Sequence, residues 1–226
     1  MSSIINFYEH LPKNLKKKPK FDKSTNMSLP YRLILCGASG SGKTNVLLNL
    51  IKLQSQNFQR IVICTRNANE PLYNFLRMKI PEDQLEIHEG IEAIPEPEFY
   101  ADSTESILMV FDDLMLEKNQ DEKISPFFIR GRKLAGGISC AYLSQNYTKI
   151  PLNVRRNCNY VILKKISSNK EITAILKNYS LECSKEALIT MYNNCTKNLT
   201  DFLMIDLDAP DHQRFRHNFK QMINLC

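Results

Sequence analysis

The feature that most constrains this chain is a glycine-rich octapeptide between an apolar run and an amphipathic segment. It fits the phosphate-binding pattern G-x-x-x-x-G-K-S/T, and its residues are Gly37, Ala38, Ser39, Gly40, Ser41, Gly42, Lys43 and Thr44. Glycines let the backbone curl so that its N–H groups point at a bound phosphate. In this role, Lys43 reaches the β- and γ-phosphates of a nucleotide and the Thr44 hydroxyl binds Mg²⁺. The flanking strand and helix are the context that a phosphate cradle requires, which disfavours a turn that binds nothing.

Length and composition predict one domain with a sizeable core. The chain has 226 residues, of which 43% are hydrophobic. Since no apolar run approaches the roughly 18 residues that span a bilayer, and no secretion signal begins the sequence, we expect a soluble intracellular protein. The seven cysteines are scattered and include no C-x-x-C pair, so neither a disulfide framework nor a zinc site is predicted. Cys36, Cys64 and Cys140 lie in strand-like runs, where we expect them to be buried.

Much of the positive charge lies near the N-terminus. The formal net charge is +6, and residues 13–23 carry six lysines and one aspartate. Because dense like charge opposes compaction, we predict a flexible basic arm at residues 1–29, followed by the P-loop domain at residues 30–226. The lysines suit nucleic-acid binding, nuclear localisation or a merely solvated leader.

A second basic segment lies near the C-terminus, at residues 212–220. It places Arg214, Arg216 and Lys220 among aromatic residues. Interleaved cations and aromatics suit nucleic-acid binding, so we expect these cations, with the lysines of 13–23, to contact DNA phosphates. Phe215 and Phe219 are equally well explained as packing residues.

Apolar runs and amphipathic stretches alternate along the chain, which predicts an α/β fold with a mainly parallel β-sheet flanked by helices. We expect ligands at the carboxyl ends of its strands. Ser125-Pro126 is predicted to start the third helix, and Gly136-Gly137 to end the segment. The proline-rich and acidic residues 92–105 are predicted to be unstructured. The predicted strands are 31–36, 61–65, 85–88, 107–111, 138–143, 159–164 and 202–207, and the predicted helices are 43–54, 70–79, 124–135, 169–178 and 184–194.

An acidic pair follows the fourth of these strands. The apolar residues 107–111 end in Asp112 and Asp113, as expected of a buried strand that delivers carboxylates to its carboxyl tip, the Walker B arrangement. We predict that Asp112 holds Mg²⁺ through water and that Asp113 orients or deprotonates the attacking water. Gln145 follows the next strand, and its neutral amide is suited to sensing the γ-phosphate or positioning that water.

Four arginines flank the Gln145 strand: Arg130, Arg132, Arg155 and Arg156. A guanidinium that neutralises charge on the transferred phosphoryl group is worth roughly a thousandfold or more in rate. We expect one of the four to act on the site of a neighbouring subunit, which would couple hydrolysis to assembly. The sequence alone does not select among them.

The segments GASGSGKT, ILMVFDD and RGRKLAGGISCAYLSQNYTKIPLNVRRNCN resemble the poxvirus-like genome-packaging ATPases of large DNA viruses and virophages, in the FtsK/HerA superfamily. The likeness covers roughly residues 30–165. It implies a RecA-like core with a strand inserted between the two Walker strands, and an ATP- and Mg²⁺-dependent motor that translocates double-stranded DNA into a capsid. It further implies a homo-oligomeric ring, a hexamer or a pentamer, which acts at a capsid vertex protein.

The resemblance also implies a place in the infected host cell, in a cytoplasmic virus factory or the nucleus, and association with the virion is a further expectation. Two positions depart from the pattern. The wider superfamily often has glutamate where this chain has Asp113, and the viral packaging branch commonly has histidine in place of Lys133. The shorter Asp113 bears directly on which residue acts as the base.

Two other classes fit part of the sequence. A small P-loop nucleoside or nucleotide kinase would share the loop and the size, and residues 120–133 imitate an arginine-rich lid. A nucleotide-gated DNA-binding scaffold would use the same loop without turnover. GTP specificity is disfavoured, because Asn169-Lys170-Glu171-Ile172 lacks the aspartate of the N-K-x-D guanine-binding pattern.

Overall fold

A computed structural model describes residues 5–12, 20–179 and 183–223. Strands and helices alternate through most of this range, as the sequence pattern predicts. In chain order the elements are β1 (Lys20–Asp22), β2 (Met27–Leu29), β3 (Arg32–Cys36), α1 (Lys43–Leu53), β4 (Arg60–Thr65), α2 (Pro71–Arg77), β5 (Leu85–Glu89), β6 (Ile107–Asp112), α3 (Gln120–Arg130), β7 (Ile138–Ser144), α4 (Leu152–Asn157), β8 (Tyr160–Leu163), α5 (Asn169–Tyr179), α6 (Lys185–Cys195), β9 (Leu203–Asp206), β10 (Phe215–His217) and β11 (Gln221–Met222).

A nine-stranded sheet in the order β11-β10-β9-β8-β3-β7-β6-β4-β5 forms the centre of the molecule. The six strands from β8 to β5 run parallel, and β9, β10 and β11 continue the sheet antiparallel. Strand β7 lies between β3 and β6, so the strand that follows the acidic strand in sequence is inserted between the two Walker strands. The predicted α/β fold with a mainly parallel sheet is confirmed.

Both faces of the sheet are covered by helices, which explains why its strands are unbroken apolar runs. Leu33 and Leu35 of β3 pack with α1 and α2 on one face. Ile34 and Cys36, which point the other way, pack with α3 to α6. Cys36, Cys64 and Cys140 are buried, as predicted. In the described ranges, every helix is too short or too polar to cross a lipid bilayer.

Helix α3 corrects one sequence prediction. It begins at Gln120 and not near Ser125-Pro126, and Pro126 lies inside it. The first turn is polar and so carries no apolar periodicity, whereas Ile124, Phe127 and Phe128 fix the buried face. The helix ends at Arg130 and is followed by a single 3₁₀ turn.

Two segments expected to be irregular are ordered. Residues 92–105 contain a 3₁₀ turn at Pro97–Tyr100, and Tyr100 and Ile94 are buried in the core. Strands β1 and β2 form an antiparallel hairpin, and the side chains of Met27 and Leu29 pack into the core. The folded unit therefore begins before residue 30, because burial of these apolar groups anchors the hairpin. Residues 13–19 of the predicted arm lie outside the described residues.

Candidate active site

The predicted phosphate loop connects β3 to α1 at the carboxyl edge of the sheet. Backbone hydrogen bonds fix it between the ends of β7 and β8: Gly37 N donates to Ser144 O at 3.1 Å and Ala38 N to Lys165 O at 2.9 Å. Gly40 and Gly42 have φ of +70° and +88°, a region that glycine adopts without strain. A Cβ on Gly37 would lie 2.5 Å from Cβ of Lys164. Glycine is therefore required at position 37 by close packing against Lys164, and at positions 40 and 42 by the positive φ of the loop backbone.

Lys43 and Thr44 are the first two residues of α1, so they lie where the N–H groups at the start of that helix are unpaired. The Lys43 ammonium donates to the carbonyl oxygens of Gly37 at 3.0 Å and Ala38 at 3.1 Å. Burial lowers the pKa of Lys43, and the charge of Asp112 opposes that shift. The hydroxyl of Ser41 is buried and has no hydrogen-bond partner within the described residues. This loop therefore combines a cation with polar groups that a phosphate can engage.

Asp112 ends β6, level with Thr65 of β4 and Leu143 of β7. This register places its carboxylate on the same sheet edge as the loop. Burial raises the pKa of Asp112 to about 6, with a smaller increase from the charge of Asp113, and Lys43 opposes the shift. Lys43 and Asp112 therefore interact electrostatically, as the sequence prediction requires.

Tyr73 is a site residue that the sequence did not reveal. It is fully buried on α2, and its hydroxyl donates to Oδ2 of Asp112 at 2.5 Å. Burial, followed by the charge of Asp112, raises the pKa of Tyr73 well above its usual value, so it remains a hydrogen-bond donor. A tyrosine on a predicted helix gives no local signal of a partner 39 residues away.

Asp113 and Gln145 are brought together by the pairing of β6 with β7. Gln145 Nε2 donates to Oδ1 of Asp113 at 3.1 Å. Asp113 has φ of +55°, a left-handed conformation that aspartate tolerates better than most residues and that is often found at functional sites. The amide of Gln145 thus holds one of the two carboxylate oxygens of Asp113.

A cavity of about 770 Å³ adjoins the loop, and the segment after α6 forms part of its lining. Lys164, at the end of β8, is 1% exposed and ties this segment down. Its ammonium donates to the carbonyl oxygens of Leu199 and Asp201, both at 2.6 Å. Side chains of Asn193 and Asn198 also line the cavity. The sequence indicated this role of Lys164 only by placing a lysine at the end of an apolar strand.

Within the described residues, none of the four candidate arginines makes a hydrogen bond or ion pair with the phosphate loop, Asp112 or Asp113. Arg130 pairs with Glu98 at 2.5 Å. Arg155 donates to Ile150 O at 3.1 Å and lies over the ring of Tyr147. Arg156 is exposed on α4, and Arg132 lines a cavity at the amino edge of the sheet. The contacts of the described residues therefore assign none of the four arginines to the candidate active site of its own chain.

The second basic segment does not form the predicted DNA-binding surface. Arg216 is 4% exposed, pairs with the buried carboxylate of Asp206 and donates to Asn26 O at 2.8 Å. Arg214 pairs with Asp211 at 2.9 Å. Phe215 and Phe219 are buried, so the packing interpretation of these two residues is the correct one. Only Lys220 of the three predicted cations is exposed without an ion pair in the described part of the chain.

A phosphate loop, an acidic strand tip and a glutamine on an inserted strand define a P-loop NTPase with a RecA-like sheet. The chain belongs to the Poxvirus A32 protein family, whose model matches residues 18–206. It is 24% identical over 191 residues to the DNA packaging protein OPG160 of Vaccinia virus (strain Copenhagen), covering 80% of this chain and 69% of that protein. The Monkeypox virus OPG160 protein has the same identity over 80% of this chain and 62% of its own length.

Solved structures share the fold. The genome packaging NTPase B204 of Sulfolobus turreted icosahedral virus 2, in complex with sulfate, aligns with a TM-score of 0.60 and 15% identity over 88% of this chain and all of that chain. The pCW3 conjugation coupling protein TcpA aligns with a TM-score of 0.54 and 15% identity, over 87% of this chain and 63% of that chain. At these identities, the two likenesses show that this chain shares its fold with those structures.

Proposed function

We propose that this chain is a Mg²⁺-dependent ATPase that drives double-stranded viral DNA into a capsid. The observation that carries the proposal is the meeting of Lys43, Asp112 and the Asp113–Gln145 pair at one sheet edge. The relatives named DNA packaging proteins supply the biological setting. They support action in an infected cell, in a virus factory or the nucleus, and association with the virion is a further proposal.

The donor set at this edge fits Mg²⁺. Thr44 offers a hydroxyl that would bind the metal directly, and Asp112 offers a carboxylate that would hold it through water. Both are hard oxygen groups, and Mg²⁺ in nucleotide sites usually keeps several waters besides one or two protein ligands and phosphate oxygens. Tyr73 donates to Oδ2 of Asp112 and so fixes the orientation of this carboxylate. When bound, the metal would neutralise charge on the β- and γ-phosphates.

Hydrolysis is assigned to the Asp113–Gln145 pair. Gln145 fixes the Asp113 carboxylate, whose free oxygen would accept a proton from a water in line with the γ-phosphate. Residues Gly37 to Gly42 would cradle the phosphates with backbone N–H groups, and Lys43 would move from the loop carbonyls to the γ-phosphate. The adjoining cavity is large enough for the base and sugar of ATP, and Asn193 among its lining residues offers an amide group for the base.

Partners follow from the proposed motor. They are duplex DNA, further copies of this chain in a pentameric or hexameric ring, and a capsid vertex protein. The lysines of residues 13–23 would supply part of the DNA contact.

The proposed function is tested by measuring phosphate release from Mg²⁺-ATP with and without long duplex DNA. We expect hydrolysis that DNA stimulates, and none from a Lys43→Ala variant. Transfer of phosphate to a nucleoside or nucleotide would instead make the chain a kinase. Nucleotide binding without turnover in either condition would make it a nucleotide-gated scaffold.

Replacing Tyr73 with phenylalanine should weaken use of Mg²⁺ while keeping the fold. The ring still fills its buried place, but the carboxylate of Asp112 loses a hydrogen bond, and such bonds to charged groups are worth about 1.5–3 kcal/mol. We expect kcat/KM at limiting Mg²⁺ to fall roughly tenfold or more, measured by titrating the metal. Tyr100→Phe is the matched control, because the Tyr100 hydroxyl is buried and has no hydrogen-bond partner within the described residues. Equal behaviour of the two variants would remove Tyr73 from the site.

Gln145→Ala should lower kcat more than it changes KM. Its amide positions Asp113, and loss of a group that acts mainly in the transition state appears in kcat. We expect a fall of about a hundredfold, by analogy with removal of one preorganised donor. Steady-state kinetics beside the exposed control Gln213→Ala give the measurement. A change in KM alone would assign Gln145 to binding.

We further propose that Arg156 completes the site of a neighbouring subunit. It is exposed, whereas Arg130 and Arg155 are engaged within their own chain. Mixing Arg156→Ala with Lys43→Ala subunits should give more hydrolysis than the two separate proteins combined, because each supplies what the other lacks. If the hydrolysis rate of the mixture only equals the sum of the rates of the two variants assayed separately, Arg156 does not act on a neighbouring subunit.

A further inference from the structure

A second cavity, of about 700 Å³, opens at the amino edge of the sheet, opposite the candidate active site. Its walls come from the β1–β2 hairpin, the start of β3, the turn before β7 and the residues that precede β8. Three cations from separate segments line it: Lys20 on β1, Arg32 on β3 and Arg132 on the 3₁₀ turn after α3. The fold thus gathers positive charge from across the sequence into one concave place.

These three side chains make no hydrogen bond or ion pair with any described residue. Nε of Arg32 is buried and without a partner. One carboxylate, Asp208, also lines the cavity and accepts from Asn159 Nδ2 at 2.9 Å, so the three cations leave an excess of positive charge among the lining residues. A partly buried guanidinium with an unsatisfied donor is costly unless something pairs with it. An anion is the ligand that this arrangement lacks.

The charges of Arg32 and Arg132 also act on each other. Burial, followed by the charge of Arg132, lowers the pKa of Arg32, and Asp208 only partly offsets this. A phosphate between the two guanidinium groups would remove their repulsion, and it would accept the paired N–H donors that arginine presents.

We propose that this amino-edge cavity binds a phosphate group of the duplex DNA backbone. The proposal rests on the proposed function. It adds a DNA contact at this cavity, whereas the DNA contact predicted for Arg216 is lost because Arg216 is buried. Recognition of a DNA base or of a free nucleotide in this cavity is disfavoured. Phe58 is the aromatic residue among the lining residues, and at 8% exposed it offers no face on which a base could stack. Binding through phosphates alone is independent of DNA sequence, as a packaging motor requires.

A salt titration of DNA binding tests the proposal. Affinity of the full chain for a 30-bp duplex would be measured by fluorescence anisotropy between about 50 and 200 mM salt. Because each neutralised phosphate contributes about 0.9 to the slope of log K against log salt, a Lys20→Gln/Arg132→Gln variant that loses this one phosphate contact should bind more weakly, with a slope about 1 unit shallower. The control is Lys52→Gln/Lys185→Gln, which removes the same charge from exposed positions elsewhere.

The possible outcomes separate this proposal from the proposed function. If wild-type protein binds DNA and the Lys20→Gln/Arg132→Gln variant keeps its slope, the cavity assignment is wrong and the motor function stands. If wild-type protein neither binds duplex DNA nor is stimulated by it, both fail. Inorganic pyrophosphate binding is measured in a protein that also carries Lys43→Ala. This substitution weakens the phosphate loop, so the remaining binding reports on sites outside that loop. Loss of that binding in the double variant, with an unchanged DNA slope, would assign the cavity to a free phosphate compound instead. An unchanged thermal unfolding transition establishes that the variant is folded.

Discussion

An Asp113→Asn variant is expected to bind Mg²⁺-ATP and to lose about a hundredfold or more of its kcat. An asparagine keeps the size and the hydrogen bond partner of Asp113 but cannot accept a proton, and a positioned general base is worth about 10²–10⁴ in rate. Gln145 would still hold the oxygen of the new side chain. The variant should therefore accumulate bound, unhydrolysed ATP, which is measured by combining nucleotide-binding titrations with single-turnover hydrolysis.

Two controls sharpen this result. Asp102→Asn makes the same chemical change at an exposed position and should leave kcat unaltered. Lys43→Ala should lose both nucleotide affinity and hydrolysis, because Lys43 serves the bound phosphates themselves. Wild-type turnover by the Asp113→Asn protein would show that another group is the base.

Arg216→Met is expected to destabilise the fold by about 3–5 kcal/mol, since it leaves the Asp206 carboxylate buried and unpaired. It also removes the hydrogen bond that joins Arg216 to the β1–β2 hairpin through Asn26. The free energy of unfolding in urea gives the measurement. Adding Asp206→Leu to the same protein should recover a large part of the loss, because the uncompensated charge is then gone.

Arg214→Met is the matched control two residues away. Its partner Asp211 is well exposed, with 67% of its side chain accessible, so loss of this surface pair should cost less than about 1 kcal/mol. If Arg216→Met were no more destabilising than Arg214→Met, Arg216 would be available for a role outside the fold, and the correction to the second basic segment would be wrong.

The sequence predicted those features that local pattern determines. The Gly37–Thr44 motif, with apolar residues before it and an amphipathic segment after it, specifies a strand, a loop and a helix in contiguous residues. Apolar runs that end in Asp112 or just before Gln145 specify buried parallel strands with polar residues at their carboxyl tips. Fold class follows from the same alternation, and the family resemblance added the position of the inserted strand.

What could not be predicted depends on contacts between distant segments. Nothing around Tyr73 indicates that its hydroxyl bonds to Asp112, since that contact exists only when α2 packs beside β6. Arg216 has the local sequence of a surface cation, and only the pairing of β10 with β9 brings it to Asp206. Lys20, Arg32 and Arg132 share no pattern, and sheet topology alone brings them to one cavity.

The central claim is that hydrolysis at the carboxyl-edge site moves this protein along duplex DNA. Its most direct test is displacement of a third strand from a DNA triplex placed at the end of a long duplex. With ATP and Mg²⁺, the wild-type protein should release the third strand, whereas the Lys43→Ala and Asp113→Asn proteins should not. Hydrolysis by the wild-type protein without any release, or release by the Lys43→Ala protein, would contradict the claim.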